Sequence, residues 1–220
     1  MGPGPALTGE TVHCFARLSV SRWLIFLLPW FLMAGCDSSV PHQKPLAPSA
    51  RILAFGDSLT FGKGVLPEQS YPARLQAAIG REVINGGLPG EVSVEGLKRL
   101  SIWLDEVSPD YVIICHGAND LLRSFSEDKV RENIRGMVKM ARDRGMGVVL
   151  ISVPKFGNMR SAPAFYADIA REFDIPLESH SLEEIVRSSK YHKDTFHPNP
   201  EGYQLITDAL VKLMHASGAL

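Results

Sequence analysis

The chain has 220 residues, 45% hydrophobic and 21% charged, and its 23 Lys+Arg against 24 Asp+Glu give a formal net charge of −1. That length fits one domain with a short extension, and the apolar fraction excludes a chain too polar to build a core. The balanced charge lacks the basic excess or stripe of a nucleic-acid binder, and three Cys are too few for a disulfide-stapled scaffold.

The first segment reads as an export signal. Residues 23–34, WLIFLLPWFLMA, carry no charge, and Arg17 and Arg22 stand just upstream. As a helix this run would span about 18 Å, well short of a hydrocarbon core of roughly 30 Å, so a transmembrane helix is not expected. It ends in Met33-Ala34-Gly35-Cys36, which resembles a bacterial lipobox. The resemblance implies cleavage after residue 35 and lipidation of Cys36. The mature chain would then be an exported, periplasm-facing lipoprotein of the cell envelope, held to a membrane by that anchor. Residues 36–50 follow as a lipidated Cys and a Pro/Ser-rich stretch that predicts a flexible tether, so the folded domain is expected over 51–220.

Within the domain, five short apolar runs predict buried strands at 52–55, 82–84, 111–115, 148–153 and 175–177. Their unbroken apolar character suits a parallel sheet covered on both faces. Ser70-Tyr71-Pro72 opens a helix that stops at Gly80. Ser93 is the expected cap of a second, with Val94, Leu97, Leu100, Ile102 and Leu104 recurring within it. Ser126 is the expected cap of a third, with a Val130, Ile134, Met137 and Met140 stripe and a stop at Gly145. A further helix is expected over 163–173, and Ser181-Leu182-Glu183-Glu184 has the form of a capping box. Asn199-Pro200 places a cap residue before a first-turn Pro, opening the last helix through about Ala216. Alternating strands and helices imply right-handed βαβ units and a three-layer α/β/α sandwich around a five-stranded parallel sheet, flavodoxin-like in plan, with ligands beyond the carboxyl ends of the strands.

Four blocks at those ends carry the chemistry. Gly56-Asp57-Ser58-Leu59 follows the first strand, and a Ser hydroxyl there needs a neighbouring base to become a nucleophile. Asp194-Thr195-Phe196-His197 supplies an acid that can orient an imidazole and an imidazole that can take the proton. Asn85-Gly86-Gly87-Leu88-Pro89-Gly90 follows the second strand and His116-Gly117-Ala118-Asn119-Asp120 the third. Backbone N–H groups and an Asn amide are suitable donors to the oxyanion of a tetrahedral intermediate. Each block also has a plainer reading as turn or cap residues.

Together the four blocks resemble the SGNH/GDSL hydrolase family of esterases and lipases, over most of the domain. The resemblance implies Ser58 as nucleophile, His197 as base and Asp194 as orienting acid. It implies an oxyanion hole of the Ser58 N–H, Gly90 and Asn119, with Gly87 as the alternative to Gly90. It further implies a small-molecule ester or thioester substrate with small to medium acyl groups, as in the arylesterase, thioesterase and lysophospholipase group, and no cofactor. A carbohydrate O-deacetylase, a transferase and a non-catalytic envelope binding protein are the competing readings. A monomer is the default expectation.

The remaining polar residues near the blocks have local expectations. Asp57 and Asp120 tie down their loops. His116 either packs beneath the site or reaches the leaving group. Cys115, inside an apolar run, is an inert core thiol. His192, Asp194 and His197 lie close in sequence, but the Asp-x-x-His match accounts for two of them and no metal site is expected. Gly62-Lys63-Gly64 lacks the spacing of a phosphate-binding loop.

Overall fold

The computed structural model of the chain describes residues 1–2, 40–155 and 161–220. The apolar run at 23–34, Cys36 and the signal assigned to 1–35 lie outside the described residues, apart from residues 1–2.

Five strands form one parallel sheet: β1 (Arg51–Gly56), β2 (Glu82–Gly87), β3 (Tyr111–Cys115), β4 (Gly147–Ile151) and β5 (Leu177–Glu178), in the order β2-β1-β3-β4-β5. This is the expected α/β architecture. Every residue of β3 is buried, as a central strand covered on both faces requires. Among the described residues the α-helices are α1 (Ser58–Phe61), α2 (Tyr71–Ile79), α3 (Ser93–Val107), α4 (Ala118–Leu122), α5 (Glu127–Asp143), α6 (Phe165–Glu172), α7 (Ser181–Arg187) and α8 (Pro200–Ala216). Helices α2 and α8 pack together, as do α3 and α5, which places helical layers against the sheet. On α5 the buried stripe is Val130, Ile134, Met137, Val138 and Ala141.

The order reverses at β1: the chain leaves it toward β2 and returns to β3 on its other side. The register aligns Gly56 with Gly87 and with Cys115, so the carboxyl ends of these three strands finish level. A crevice opens at such a reversal, and the segments that follow β1, β2 and β3 all begin there.

The fifth strand starts later than the apolar run suggests. The Ile175 N–H donates to the Ala170 carbonyl at the end of α6, and Pro176 has no N–H to give. The Pro176 carbonyl accepts from Leu150, and strand pairing proper begins at Leu177.

Two expected serine caps are replaced by carboxylates. Ser93 is the first helical residue of α3, not its cap. Its N–H and hydroxyl donate to Asp120 at 2.8 and 2.7 Å. Ser181 likewise begins α7, and Glu178 accepts from the His180 N–H, the Ser181 N–H and the Ser181 hydroxyl. A buried carboxylate needs several donors, and a helix amino terminus offers unpaired N–H groups and a positive dipole end. Asp120 therefore ties α3, beyond its own turn, to the segment after β3. Ser126 stands before α5 without a side-chain capping bond, whereas Asn199 caps α8 by accepting from the Gly202 N–H at 2.9 Å.

The stretch expected to be a tether is packed from Gln43 onward. Gln43 is buried; its N–H donates to the Ser217 carbonyl at 2.7 Å, and the Leu46 N–H to the Ala219 carbonyl at 2.9 Å. Arg81 donates to the carbonyls of Leu46 and Ala47. The folded unit thus begins before Arg51, because this segment satisfies the backbone that follows α8. Among the described residues no helix is long and apolar enough to cross a membrane.

Deleting residues 1–50 removes those four bonds. At about 0.5–1.5 kcal/mol net for each, the 51–220 chain should lose about 2–6 kcal/mol relative to the 40–220 chain. Chemical denaturation of the two checks this. Equal midpoints would return the segment to the status of a tether.

Candidate active site

Ser58 sits where β1 turns into α1. Asp57 caps that single turn, its Oδ1 accepting from the Leu59 N–H at 3.0 Å, and the Phe61 N–H returns to the Asp57 carbonyl. Asp57 is fully buried, and burial pushes its carboxyl above the ordinary carboxylate value. The Thr60 and Tyr71 hydroxyls, 3.0 Å apart, fasten α1 to α2. Ser58 itself keeps 8% of its surface exposed, and its Oγ faces the crevice.

The Asp194–His197 loop reaches that crevice from the other end of the chain. It is a narrow excursion closed by an antiparallel bridge between His192 and Pro198, with the Lys193 N–H on the His197 carbonyl at 2.8 Å. Asn199 braces its base: its N–H donates to Tyr191 and its amide to Lys190. Asp194 Oδ1 accepts from the N–H groups of Phe196 and His197 at 2.9 and 3.0 Å. His197 Nδ1 lies 3.0 and 2.9 Å from the two Asp194 oxygens. A carboxylate only accepts, so Nδ1 carries a proton, and in the neutral ring Nε2 is left with its lone pair. That Nε2 stands 3.1 Å from Ser58 Oγ, which must then donate. Partial burial raises the Asp194 pKa, but the two backbone donors and His197 outweigh it and hold the carboxyl down at about 2. It is therefore ionised at neutral pH.

Gly90, Asn119, Leu122 and Phe196 line the same cavity as Ser58 and His197, about 190 Å³ in volume. Gly90 has φ +83°, a left-handed turn that glycine adopts without strain. Asn119 is in the first turn of α4, and its amide donates to the Glu91 carbonyl at 3.0 Å, leaving one amide hydrogen over. Gly87 stands outside the cavity. Its N–H donates to Asn85 Oδ1 at 3.0 Å, and a Cβ on it would lie 2.2 Å from the Phe61 N, so it serves close packing of β2 against α1.

His116 is completely buried, with both ring nitrogens hydrogen-bonded, and cannot meet a leaving group. Cys115 is buried too, and desolvation pushes its thiol well above the ordinary range. His192 donates to the Ile185 carbonyl. Among the described residues no three His, Cys, Asp or Glu side chains gather as metal ligands. A larger groove, about 570 Å³, lies at the far end of the sheet by Lys44, Asp110 and Arg144, without a base beside a nucleophile.

Sequence reasoning passed over Glu91 and Arg99. Glu91 is buried and bonded to both His116 and Arg99. The available signal was Arg99 beside Leu100 and three residues after Gly96, where the buried face of α3 runs.

A hydroxyl directed at a neutral imidazole, itself oriented by a carboxylate, beside amide donors in a small cavity, is equipped for acyl transfer. Comparison with known proteins agrees. Residues 54–205 match the model of the GDSL-like Lipase/Acylhydrolase family. An arylesterase of Vibrio mimicus is 32% identical over 171 residues, 73% of this chain and 86% of that one. The thioesterase 1/protease 1/lysophospholipase L1 of Escherichia coli K12 is 27% identical over 206 residues, 88% of this chain and 93% of that one. The structure of a psychrotrophic esterase, EstA from Pseudoalteromonas sp., superposes with a TM-score of 0.69 at 25% identity, covering 76% of this chain and 97% of that one. The chain belongs to the GDSL-like lipase/acylhydrolase family and is a hydrolase acting on ester bonds.

Proposed function

We propose that the protein is a serine esterase that hydrolyses carboxylic ester or thioester bonds of small to medium acyl groups through an acyl-enzyme on Ser58. The observation that carries this reading is the 3.1 Å approach of His197 Nε2 to Ser58 Oγ, with Nδ1 held by Asp194.

In this reading His197 Nε2 takes the hydroxyl proton as Ser58 Oγ attacks the acyl carbon. The carbonyl π pair moves onto oxygen. The imidazolium is stabilised by Asp194, already ionised. Candidate donors to the oxyanion are the N–H groups of Ser58 and Gly90 and the spare amide hydrogen of Asn119. Neither N–H is engaged among the described residues. Collapse expels the alcohol or thiol, which takes the proton from His197. Water then attacks the acyl-enzyme by the same route, with His197 again as base.

The acyl preference rests on the walls. Leu122 lines the 190 Å³ cavity and also borders a neighbouring groove of about 610 Å³ with Leu121 and Phe125. Leu122, Phe125 and Phe196 are all substantially exposed and offer apolar contacts beside Ser58, while Ser124, Glu127 and Lys155 also line that groove. The names of the Vibrio and Escherichia relatives, arylesterase and thioesterase, support ester and thioester bonds as the bonds cleaved. For location, the reading keeps Cys36 as a lipid anchor, supported by the uncharged run 23–34 and its basic flank.

The test is a chain-length series of p-nitrophenyl esters from acetate to palmitate, with palmitoyl-CoA and an acetylated sugar, on the 40–220 chain and its Ser58→Ala variant. Turnover of the esters should fall at least a thousandfold in the variant. Activity confined to the acetylated sugar would make the protein a deacetylase instead. Equal rates in both proteins would remove Ser58 from the mechanism.

Two glycines separate the oxyanion assignment from packing. Gly90→Ala meets no atom within 4 Å and faces only the left-handed strain of about 1–2 kcal/mol. It should lower kcat at least tenfold with a small drop in Tm. Gly87→Ala must displace α1 and should destabilise by about 1–3 kcal/mol or more. Alanine keeps the N–H, so the loss would come from the strained left-handed backbone that aims it; unchanged kcat in Gly90→Ala would show that its aim does not depend on glycine at this position.

A further inference from the structure

Behind the cavity lies a buried charged cluster that the proposed reaction does not use. Glu91 follows Gly90 directly and is 4% exposed. Its carboxylate accepts from Arg99 Nε and Nη2, both at 2.6 Å, and from His116 Nε2 at 3.0 Å. His116 Nδ1 accepts from the Gly117 N–H at 2.9 Å, which places the ring proton on Nε2, facing Glu91. Burial pushes the Glu91 carboxyl up, but the His116 and Arg99 hydrogen bonds and the Arg99 charge outweigh it and hold it below its ordinary value.

The cluster is wired into every block of the site except the Asp194–His197 loop. Arg99 donates to the Gly86 carbonyl in β2 at 2.9 Å and to the Gly56 carbonyl at 3.2 Å, one residue before Asp57-Ser58. Its guanidinium lies 4.1 Å from the centre of the Phe55 ring. The Glu91 carbonyl receives the Asn119 amide, and His116 holds the Gly117 N–H two residues before Asn119. Helix α3 makes room for it: a Cβ at Gly96 would lie 2.3 Å from His116 Nε2. The imidazole fills a notch that only glycine leaves in the helix.

A buried ion pair is weak evidence of stabilisation in itself, because desolvation offsets much of the attraction. Its value here is geometric. We propose that Glu91, braced by Arg99 and His116, is a positioning residue that fixes the Gly90 N–H and the Asn119 amide relative to Ser58, so that the oxyanion hole is formed before substrate arrives. The inference rests on the serine esterase reading above. Glu91 acts only through these donors, so its contribution falls on the transition state, where negative charge has developed, and not on ground-state binding.

The test uses Glu91→Gln, His116→Gln and His116→Asn in the 40–220 chain, with Ser58→Ala alongside. Rates are read with p-nitrophenyl butyrate, and oxyanion binding with an alkyl trifluoromethyl ketone, whose addition to a serine creates a hemiketal oxyanion. Glu91→Gln should lower kcat at least tenfold with KM within twofold, and weaken the ketone by the same factor. His116→Gln, which keeps a donor toward Glu91, should retain more kcat than His116→Asn, which keeps only the acceptor for Gly117. A Glu91→Gln protein that loses Tm but keeps kcat and ketone affinity would overturn the proposal, showing a merely structural pair. If Glu91→Gln does not fold, equal kcat in the two His116 variants overturns it. Turnover surviving in Ser58→Ala would overturn the esterase reading itself, and this inference with it.

Discussion

Ser58 and His197 are 139 residues apart in the chain and 3.1 Å apart in space. The site's chemistry depends on that hydrogen bond having its direction, from hydroxyl to imidazole. The direction is set one step back, where Asp194 accepts from Nδ1 and so leaves Nε2 unprotonated. It is set two steps back by the Phe196 and His197 N–H groups, which help keep Asp194 an anion against the partial burial that opposes it. The fold's part is to bring the two ends together. Level carboxyl ends of β1, β2 and β3 place Ser58 beside Gly90 and Asn119, and α8, packed on α2, returns the last loop to the same crevice.

Buried carboxylates recur as fasteners in this fold. Asp120 binds the start of α3, Glu178 the start of α7, and Glu91 joins Arg99 to His116. Each accepts two or more donors, which is what an ion removed from water requires. None of the three can be moved without leaving charge uncompensated, so the loops they hold are confined to one arrangement. In the proposed reaction such rigidity would be an advantage, since donors already in place need no reorganisation at the moment of reaction.

What was legible in the sequence was whatever a local pattern encodes. The apolar runs mark the strands, Asn199-Pro200 marks the start of α8, and the four blocks mark the crevice. What was not legible depends on partners distant in sequence. Ser93 and Ser181 read as caps because Ser before an apolar run commonly is one; Asp120, 27 residues from Ser93, is the group that decides otherwise. Residues 43–50 have the composition of a linker, and it is their bonds to Ser217, Ala219 and Arg81 that make them part of the domain. The Glu91–His116 contact spans 25 residues and follows from the register of β1, β2 and β3, which no short motif specifies. The two glycines of the second block differ for the same reason: Gly87 is spent on contact with Phe61, and Gly90 is left facing the cavity.

The most direct measurement of Ser58 activation is covalent labelling. The 40–220 chain would be treated with a p-nitrophenyl alkylphosphonate, and the adduct located by intact-mass and peptide mass spectrometry in the parent and in His197→Ala. The account predicts one adduct per chain, on Ser58, formed at least a hundredfold more slowly without His197. Labelling at another residue, or at an equal rate in the two proteins, would contradict it.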